Sequence, residues 1–570
     1  MKRWLTITLL SILLIAFVYP SAFIYSRDTL PDNNDTRLIA YIIGQVQQNI
    51  LKHQPLHYGT FFSPDQNTLA YSDLFLSSAV LTLPFHLITD SPIFIFNIAL
   101  VLGFLLTILA SFLLFELILN DLWLTTLAVF LFNFSGFHLH YMAHLQAFVL
   151  WPFLLALYFF LRFQKENRSL FLMLYFCLVT VQLAESIFPV YLLFFATIFL
   201  FLGEFGAGAL AKNRTDHVHT SRRESRQRRD EIVTREYGFW RGPNQILKKI
   251  IFWSLPFIPL WAFLIYPYAH LHFSLPEATR PIRDAAHFSL GLDQLFTQFH
   301  SWTVIVIFLI SGAARVLLGN YPQEQKRGIF LLKKNFCDEA KTAAKSWLSG
   351  LWFPKKCTGV SREANWLLIF WFSIIMSLGP VLKLFGTNIR IFGFPIPLPY
   401  SLFYYLFPGF TGFRTPSRFI ILALLATVVL IGFNLKPIFA KLKPKTRFIF
   451  LLLILSLLFI EADLPLKGYP ININMHPVYS EVKKLPSEAV ILELPIKLWN
   501  EPDHEIESIR SLYTLQHGHR RFGGFSGFAT NKWINLVEAI NARGLDPENI
   551  SGLKALGITH VISNNQLSPL

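Results

Sequence analysis

Three carboxylates fall within one short polar run, Ser26–Arg37, whose sequence is SRDTLPDNNDTR: Asp28, Asp32 and Asp35. Carboxylates so placed can take a proton from an acceptor hydroxyl or hold a divalent ion. The stretch GFHLHYMAHLQ offers His138, His140, His144 and Gln146, and imidazole can join either task. Asp32, Asp35 and His144 are the candidates to ligate a cation such as Mg or Mn. Glu185 stands in an AES turn, and a later loop carries Glu277, Arg280, Arg283, Asp284 and His287. PGFTGFRTPSRF adds Arg414 and Arg418, whose forked guanidiniums suit a phosphate. Each group has a plainer alternative. The three Asp also suit a solvated loop with a helix cap, the His an interfacial turn, Glu185 a capped turn, and the two Arg anchorage to lipid phosphates.

Bringing these distant residues together is a matter of topology. The 570 residues are 53% hydrophobic and only 15% charged, against about a quarter charged in soluble domains. The apolar excess is gathered into runs near twenty residues, the mark of a helical polytopic membrane protein. The net charge of +15 then reflects basic cytoplasmic loops, not nucleic-acid binding. A first, uncleaved helix over about 4–25, with Lys2 and Arg3 inside, puts the Asp run outside. Residues 36–50 have helical apolar period and are expected to lie along the membrane surface with Asp35 as N-cap. Ser72–Thr89 is short and interrupted by Pro84, so it is expected at the outer interface within a first outer loop, 26–91.

Crossing helices are expected at 92–118, 122–137, 146–162, 169–184, 187–204, 250–270, 302–318, 366–385, 418–434 and 447–463, eleven in all. Eleven Lys and Arg then lie between Lys212 and Lys249, nine between Lys326 and Arg362, and five between Lys436 and Arg447, on the inner side. Segments 205–249 and 319–365 are expected as cytoplasmic loops. From 465 to 570 the charge rises, and AVILELPI and ITHVIS look like strands, so a small α/β tail is expected outside. Cys177, Cys337 and Cys357 have no metal-ligand spacing. The localisation implied is the plasma membrane, multi-pass, with the N-terminus inside and the tail outside. All the candidate polar residues then converge on the outer face.

Several stretches resemble the GT-C class of polytopic, lipid-linked-sugar glycosyltransferases, within a group of bacterial membrane proteins. They are PDNNDTRLIAYII, FFSPDQNTLAYSDLFLSSAVLTLPFHLITDSPIFIFNIAL, HLHYMAHLQ and PGFTGFRTPSRF, with HPVYSEVKKLPSEAVILELPI, HGHRRFGGFSGF and LKALGITHVIS in the tail. The resemblance implies a GT-C-like all-α membrane domain over 1–464 and an α/β extracytoplasmic tail over 465–570. It implies an inverting hexosyltransferase with a polyprenyl-phosphate-linked sugar donor and a glycan, lipid or protein acceptor. Asp32 or Asp35 would be the catalytic base, and Arg414 or Arg418 would face the donor phosphate. Asp28, His138, His144, Gln146, Glu185, Arg280 and Arg283 would line the site. The acidic motif here is D-N-N-D, not an adjacent pair or D-x-D, which leaves the base and any metal open.

Two other classes compete. A transporter or flippase for a lipid-linked glycan would favour internal repeats and mid-bilayer charges; no clear repeat is seen, and the charges sit at helix ends. A non-catalytic envelope-assembly protein would tolerate replacement of Asp32 and Asp35.

Overall fold

A computed structural model describes residues 2–202, 243–297, 301–319, 362–472 and 474–570. The loops expected at 205–249 and 319–365 therefore lie almost wholly outside the described residues, as do Cys337 and Cys357.

The polar run follows α1 (Lys2–Val18) and leads into α2 (Asp35–Leu51). After a loop come α3 (Leu76–Thr82), α4 (Pro92–Leu119), α5 (Leu122–Asn133), α6 (Trp151–Glu166), α7 (Ser169–Glu185) and α8 (Phe188–Leu202). The bundle continues with α9 (Pro243–Ser254), α10 (Ile258–Ser274), α11 (Trp302–Gly319), α12 (Arg362–Ser377), α13 (Ile420–Phe439) and α14 (Pro444–Glu461). Among the described residues, five helical stretches are long and apolar enough to cross a membrane: Pro92–Leu119, Leu122–Ala143, Leu145–Glu166, Gln245–Ser274 and Pro416–Phe439. α13 lies at the centre, packed on α4, α5, α11 and α12 and buried along nearly its whole length. Outer helices leave Leu9, Leu13, Phe263 and Leu452 exposed, as an apolar solvent requires.

α3 and the 3-10 turn Leu83–Leu87 form one short apolar segment, Leu76–Leu87. At 1.5 Å per residue it reaches only about 18 Å, well short of a hydrocarbon core of about 30 Å. The helix expected over 366–385 stops at Ser377, because Gly379 takes a left-handed φ of 72° and Pro380 follows. Two tiny hairpins replace its end: β2 (Lys383–Leu384) with β3 (Thr387–Asn388), and β4 (Arg390–Ile391) with β5 (Phe394–Pro395).

α2 is not a surface helix. Thirteen of its residues are buried, with α4 on one side and a helix of the tail on the other. The polar residues that suggested a wet face are bonded inside: Gln47 Nε2 donates to Ala79 O and Thr82 Oγ1, both at 2.9 Å, and Asn49 Nδ2 to Tyr58 O at 2.7 Å.

The tail folds around β7 (Val490–Glu493), all of it buried. β8 (Arg520–Arg521) and β9 (His560–Ser563) flank it in parallel, and β10 (Gln566–Pro569) pairs antiparallel with β9. Parallel neighbours need crossover connections, supplied by α15 (Glu505–His517) and by α16 (Asn531–Arg543) with α17 (Pro547–Ala555). The sheet is stitched to the N-terminal loop: Arg521 N donates to Thr60 O at 2.7 Å and Ser63 N to Arg521 O at 3.0 Å. A ribbon of β1 (Thr29–Leu30) with β6 (Tyr469–Pro470) ties the start of the tail to the Asp run.

Candidate functional site

The D-N-N-D run divides its carboxylates between two jobs. Asp32 Oδ1 accepts from Asn34 N at 3.1 Å, Thr36 N at 3.0 Å and Thr36 Oγ1 at 2.6 Å. These are the orphan donors at the start of α2, so Asp32 is the capping side chain. Asp35 is the first helical residue and does not cap, contrary to expectation. Its carboxylate stays 45% exposed, with Oδ2 at 3.3 Å from His144 Nδ1. That contact is not aligned as a hydrogen bond, since Nδ1 has no such partner among the described residues. Asp28 is exposed, and its backbone carbonyl accepts from Ile471 N in the ribbon.

The imidazoles also separate. His138 is buried between Phe132 and Phe148, 3.2 Å from Asn133 O through Nδ1 and 3.0 Å from Phe148 O through Nε2. It packs the bundle and does not line the site. His144 sits on the turn after Ala143, facing the start of α2. Burial lowers its pKa, and so does the charge of Arg418, while Asp35 and Asp32 pull the other way. Its neighbour Gln146 keeps a buried Oε1 with no hydrogen-bond partner among the described residues.

PGFTGFRTPSRF is a string of turns leading into α13. Gly409 is left-handed with φ 81°, and a Cβ there would meet Tyr191 Oη at 2.2 Å, so only glycine fits. Two 3-10 turns follow, Phe410–Gly412 and Pro416–Phe419. Arg414 lies over the Phe288 ring at 5.0 Å and Arg418 over Phe188 at 5.9 Å. Burial and the nearby Arg418 hold the Arg414 pKa below the usual guanidinium range, opposed by Asp35 and Asp284. Arg418 Nε is buried without a hydrogen-bond partner among the described residues. Two guanidiniums within electrostatic reach of each other, one with an unmet donor, are suited to an anion.

Arg280 approaches the same cluster, and burial, then Arg414, lower its pKa. Its guanidinium is committed elsewhere, donating to Gly527 O and lying over Phe528 at 5.7 Å. Arg283 points away, 88% exposed. Glu185 is buried and accepts from Ser77 Oγ, from Ser78 N at 2.8 Å and from Ser78 Oγ at 2.6 Å. It caps α3 and does not open to the site.

Asp73 was not singled out from the sequence. Desolvation raises its pKa; Arg418 acts against this, and its Oδ1 accepts from Ile187 N at 3.3 Å. A lone acid inside the apolar stretch YSDLFL was the available signal. The cluster thus draws Asp35, His144, Asp73, Arg414 and Arg418 from four separate segments.

A divalent cation does not fit this donor set as it stands. Among the described residues no group of three or more His, Cys, Asp or Glu is gathered for one. Asp32 Oδ1 is spent on the cap, which leaves Asp35 and His144.

Neither a scan against models of known protein families nor a comparison with curated protein sequences finds a match. Among solved structures, the chain resembles an oligosaccharyltransferase from Archaeoglobus fulgidus at 12% identity and a TM-score of 0.43, covering 98% of this chain and 69% of that one. It also resembles the archaeal oligosaccharyltransferase AglB from the same organism, in complex with an inhibitory peptide and a dolichol-phosphate. There the identity is 13% and the TM-score 0.40, with the same coverage.

Proposed function

We propose that the chain is an integral membrane glycosyltransferase that moves a sugar from a polyprenyl-phosphate donor to an acceptor hydroxyl on the outer face of the plasma membrane. One observation carries the proposal. A half-exposed carboxylate, Asp35, stands beside the imidazole of His144 in the same electrostatic neighbourhood as Arg414 and Arg418. In this reading Asp35 accepts the proton of the attacking hydroxyl as the new glycosidic bond forms at the sugar's anomeric carbon. The bond from that carbon to the donor phosphate breaks, and Arg414 and Arg418 take up the charge left on the phosphate. His144 stands beside Asp35, its proton affinity lowered by burial and by the charge of Arg418. Asp32 serves the helix that carries Asp35, which supports Asp35 as the base in this reading.

The test is glycan and lipid-linked-sugar analysis of cells lacking the protein. The expected result is a build-up of the lipid-linked donor and loss of one sugar from an envelope glycan. Wild type should reverse both changes and Asp35→Asn neither, at equal membrane levels of the two proteins. Full rescue by Asp35→Asn would overturn the proposal.

A further inference from the structure

We propose that the twin hairpins between α12 and α13 are a membrane anchor that sets aromatic side chains into the headgroup–acyl boundary of the leaflet around the site. The hairpins share one design. Each closes with a two-residue Phe-Gly loop, Phe385-Gly386 and Phe392-Gly393, between paired residues Leu384–Thr387 and Ile391–Phe394. All four loop residues have positive φ: 49° at Phe385, 74° at Gly386, 52° at Phe392 and 83° at Gly393. That is the signature of a type I′ turn, whose first position favours Asn or Asp. A phenylalanine there is strained, and it gains nothing from packing: Phe392 is 96% and Phe385 79% exposed. The same departure twice, seven residues apart, is what a surface requiring aromatic tips would demand.

The base is fixed as firmly as the tips are bare. Lys383 Nζ turns inward to Ala286 O at 2.6 Å and Ser289 O at 2.7 Å. Asp293 Oδ1 accepts from Phe385 N at 2.8 Å, and Ser401 Oγ donates to Pro380 O at 2.7 Å.

Charge and continuity identify the occupant as lipid. Pro380–Pro408 contains no Asp or Glu, whereas the first outer loop is rich in Asp. Its exposed cation, Arg390, suits a lipid phosphate. The first hairpin begins at Lys383, six positions after α12 ends at Ser377; the outward Leu368 and Ile375 of α12 belong to the lipid-facing surface, and Pro399–Leu406 follows the hairpins with Leu402 and Leu406 exposed. A water-filled setting would leave this continuous apolar surface uncovered.

The experiment reads depth, not catalysis, so its failure is separate from failure of the transferase reading. In the full chain with Cys177, Cys337 and Cys357 changed to Ser, a spin label is placed at 385, 392 or, as a tail control, at Lys484. The protein is reconstituted in vesicles of phosphatidylcholine and phosphatidylglycerol. At 385 and 392 the ratio of oxygen to nickel-chelate accessibility should exceed that at 484 several-fold. A ratio like that at 484 overturns the proposal. Shielding from both reagents also overturns it, because it means a protein partner or a second copy covers the tips. With the label at 394, Phe385→Asn together with Phe392→Asn suits the I′ turns and should keep the hairpins folded, yet the ratio should fall toward that at 484. An unchanged ratio there would equally refute the anchoring role of the two rings.

Discussion

The charge network inside the tail and the cluster around Asp35 both gather carboxylates near guanidiniums, and the two are built oppositely. In the tail, Arg521 sits between Glu493 and Glu507, with Nε–Oε2 at 2.5 Å and Nη2–Oε2 at 2.6 Å. Arg510 adds a 2.9 Å contact to Glu507, and Tyr479 donates to Glu493 at 2.6 Å. All of these charges are buried. Burial alone would raise the Glu493 pKa, but Arg521 and Arg510 outweigh it and hold the carboxyl below its usual range. Around Asp35, by contrast, the carboxylate has a 3.3 Å contact to the His144 imidazole, Arg418 Nε and Gln146 Oε1 have no hydrogen-bond partner among the described residues, and Arg414 rests on a ring. Desolvating charge costs several kcal/mol per ion unless geometry returns it. The tail network satisfies that condition internally; under the proposed function, the cluster at α2 leaves it to a bound donor.

The largest expected effects should separate the two. Asp35→Asn should lower sugar transfer by about 10²–10⁴-fold, the usual worth of a general base, and leave the melting temperature in detergent unchanged. A parallel fall in stability would erase the distinction. Arg521→Met should do the reverse, destabilising the tail by about 3–5 kcal/mol because two buried carboxylates lose their partner. Arg418→Met should barely move the melting temperature and should weaken donor use more than acceptor use. If both Arg variants melted alike, satisfied and unsatisfied charge could not be told apart in this way.

Smaller effects sharpen the contrast. His517, buried against Tyr479, has its pKa lowered to about 4 by burial. An unfolded chain takes up this proton below its ordinary 6.5, while the folded tail refuses it until about pH 4. Stability should therefore fall as pH drops through that window, by up to about 3 kcal/mol. His517→Gln should flatten the slope in a pH series of thermal melts. Asp32→Asn should cost about 1 kcal/mol at most, since Asn is itself a good cap, and should retain most of the transfer activity. Loss of transfer matching that of Asp35→Asn would return Asp32 to candidacy as the base.

Much of the helix pattern was legible from hydropathy, because lipid imposes long apolar runs whatever their neighbours. β7 and β9 were legible from short apolar runs between turns. The role of α2 was not: Gln47 and Asn49 look like a wet face until their buried carbonyl partners are known. The division between Asp32 and Asp35 was equally hidden, because it depends on which carboxylate reaches the amide of Thr36. His138 and His144 have the same side chain in one short stretch, and only the packing of Phe132 and Phe148 separates them. The tail's charge network was invisible because Glu493 and Arg521 stand 28 positions apart within segments that otherwise look like a strand and a loop. Asp73 was missed although a single acid in an apolar run deserved the same scrutiny as the triplet.

The docking of α15 on α2 also has a consequence for biosynthesis. Arg37, two residues from Asp35, reaches Glu505 O across 468 positions of sequence, and Gln48 Nε2 reaches Leu515 O at 2.9 Å. At 5–20 residues per second, roughly half a minute to a minute and a half separates synthesis of the two ends of that contact. Through that interval α2 lacks one of its two walls while most of the bundle is already being made. The nascent chain therefore passes through this interval with the helix that carries Asp35 only half enclosed, and the arrangement around Asp35 is completed only once α15 has been made.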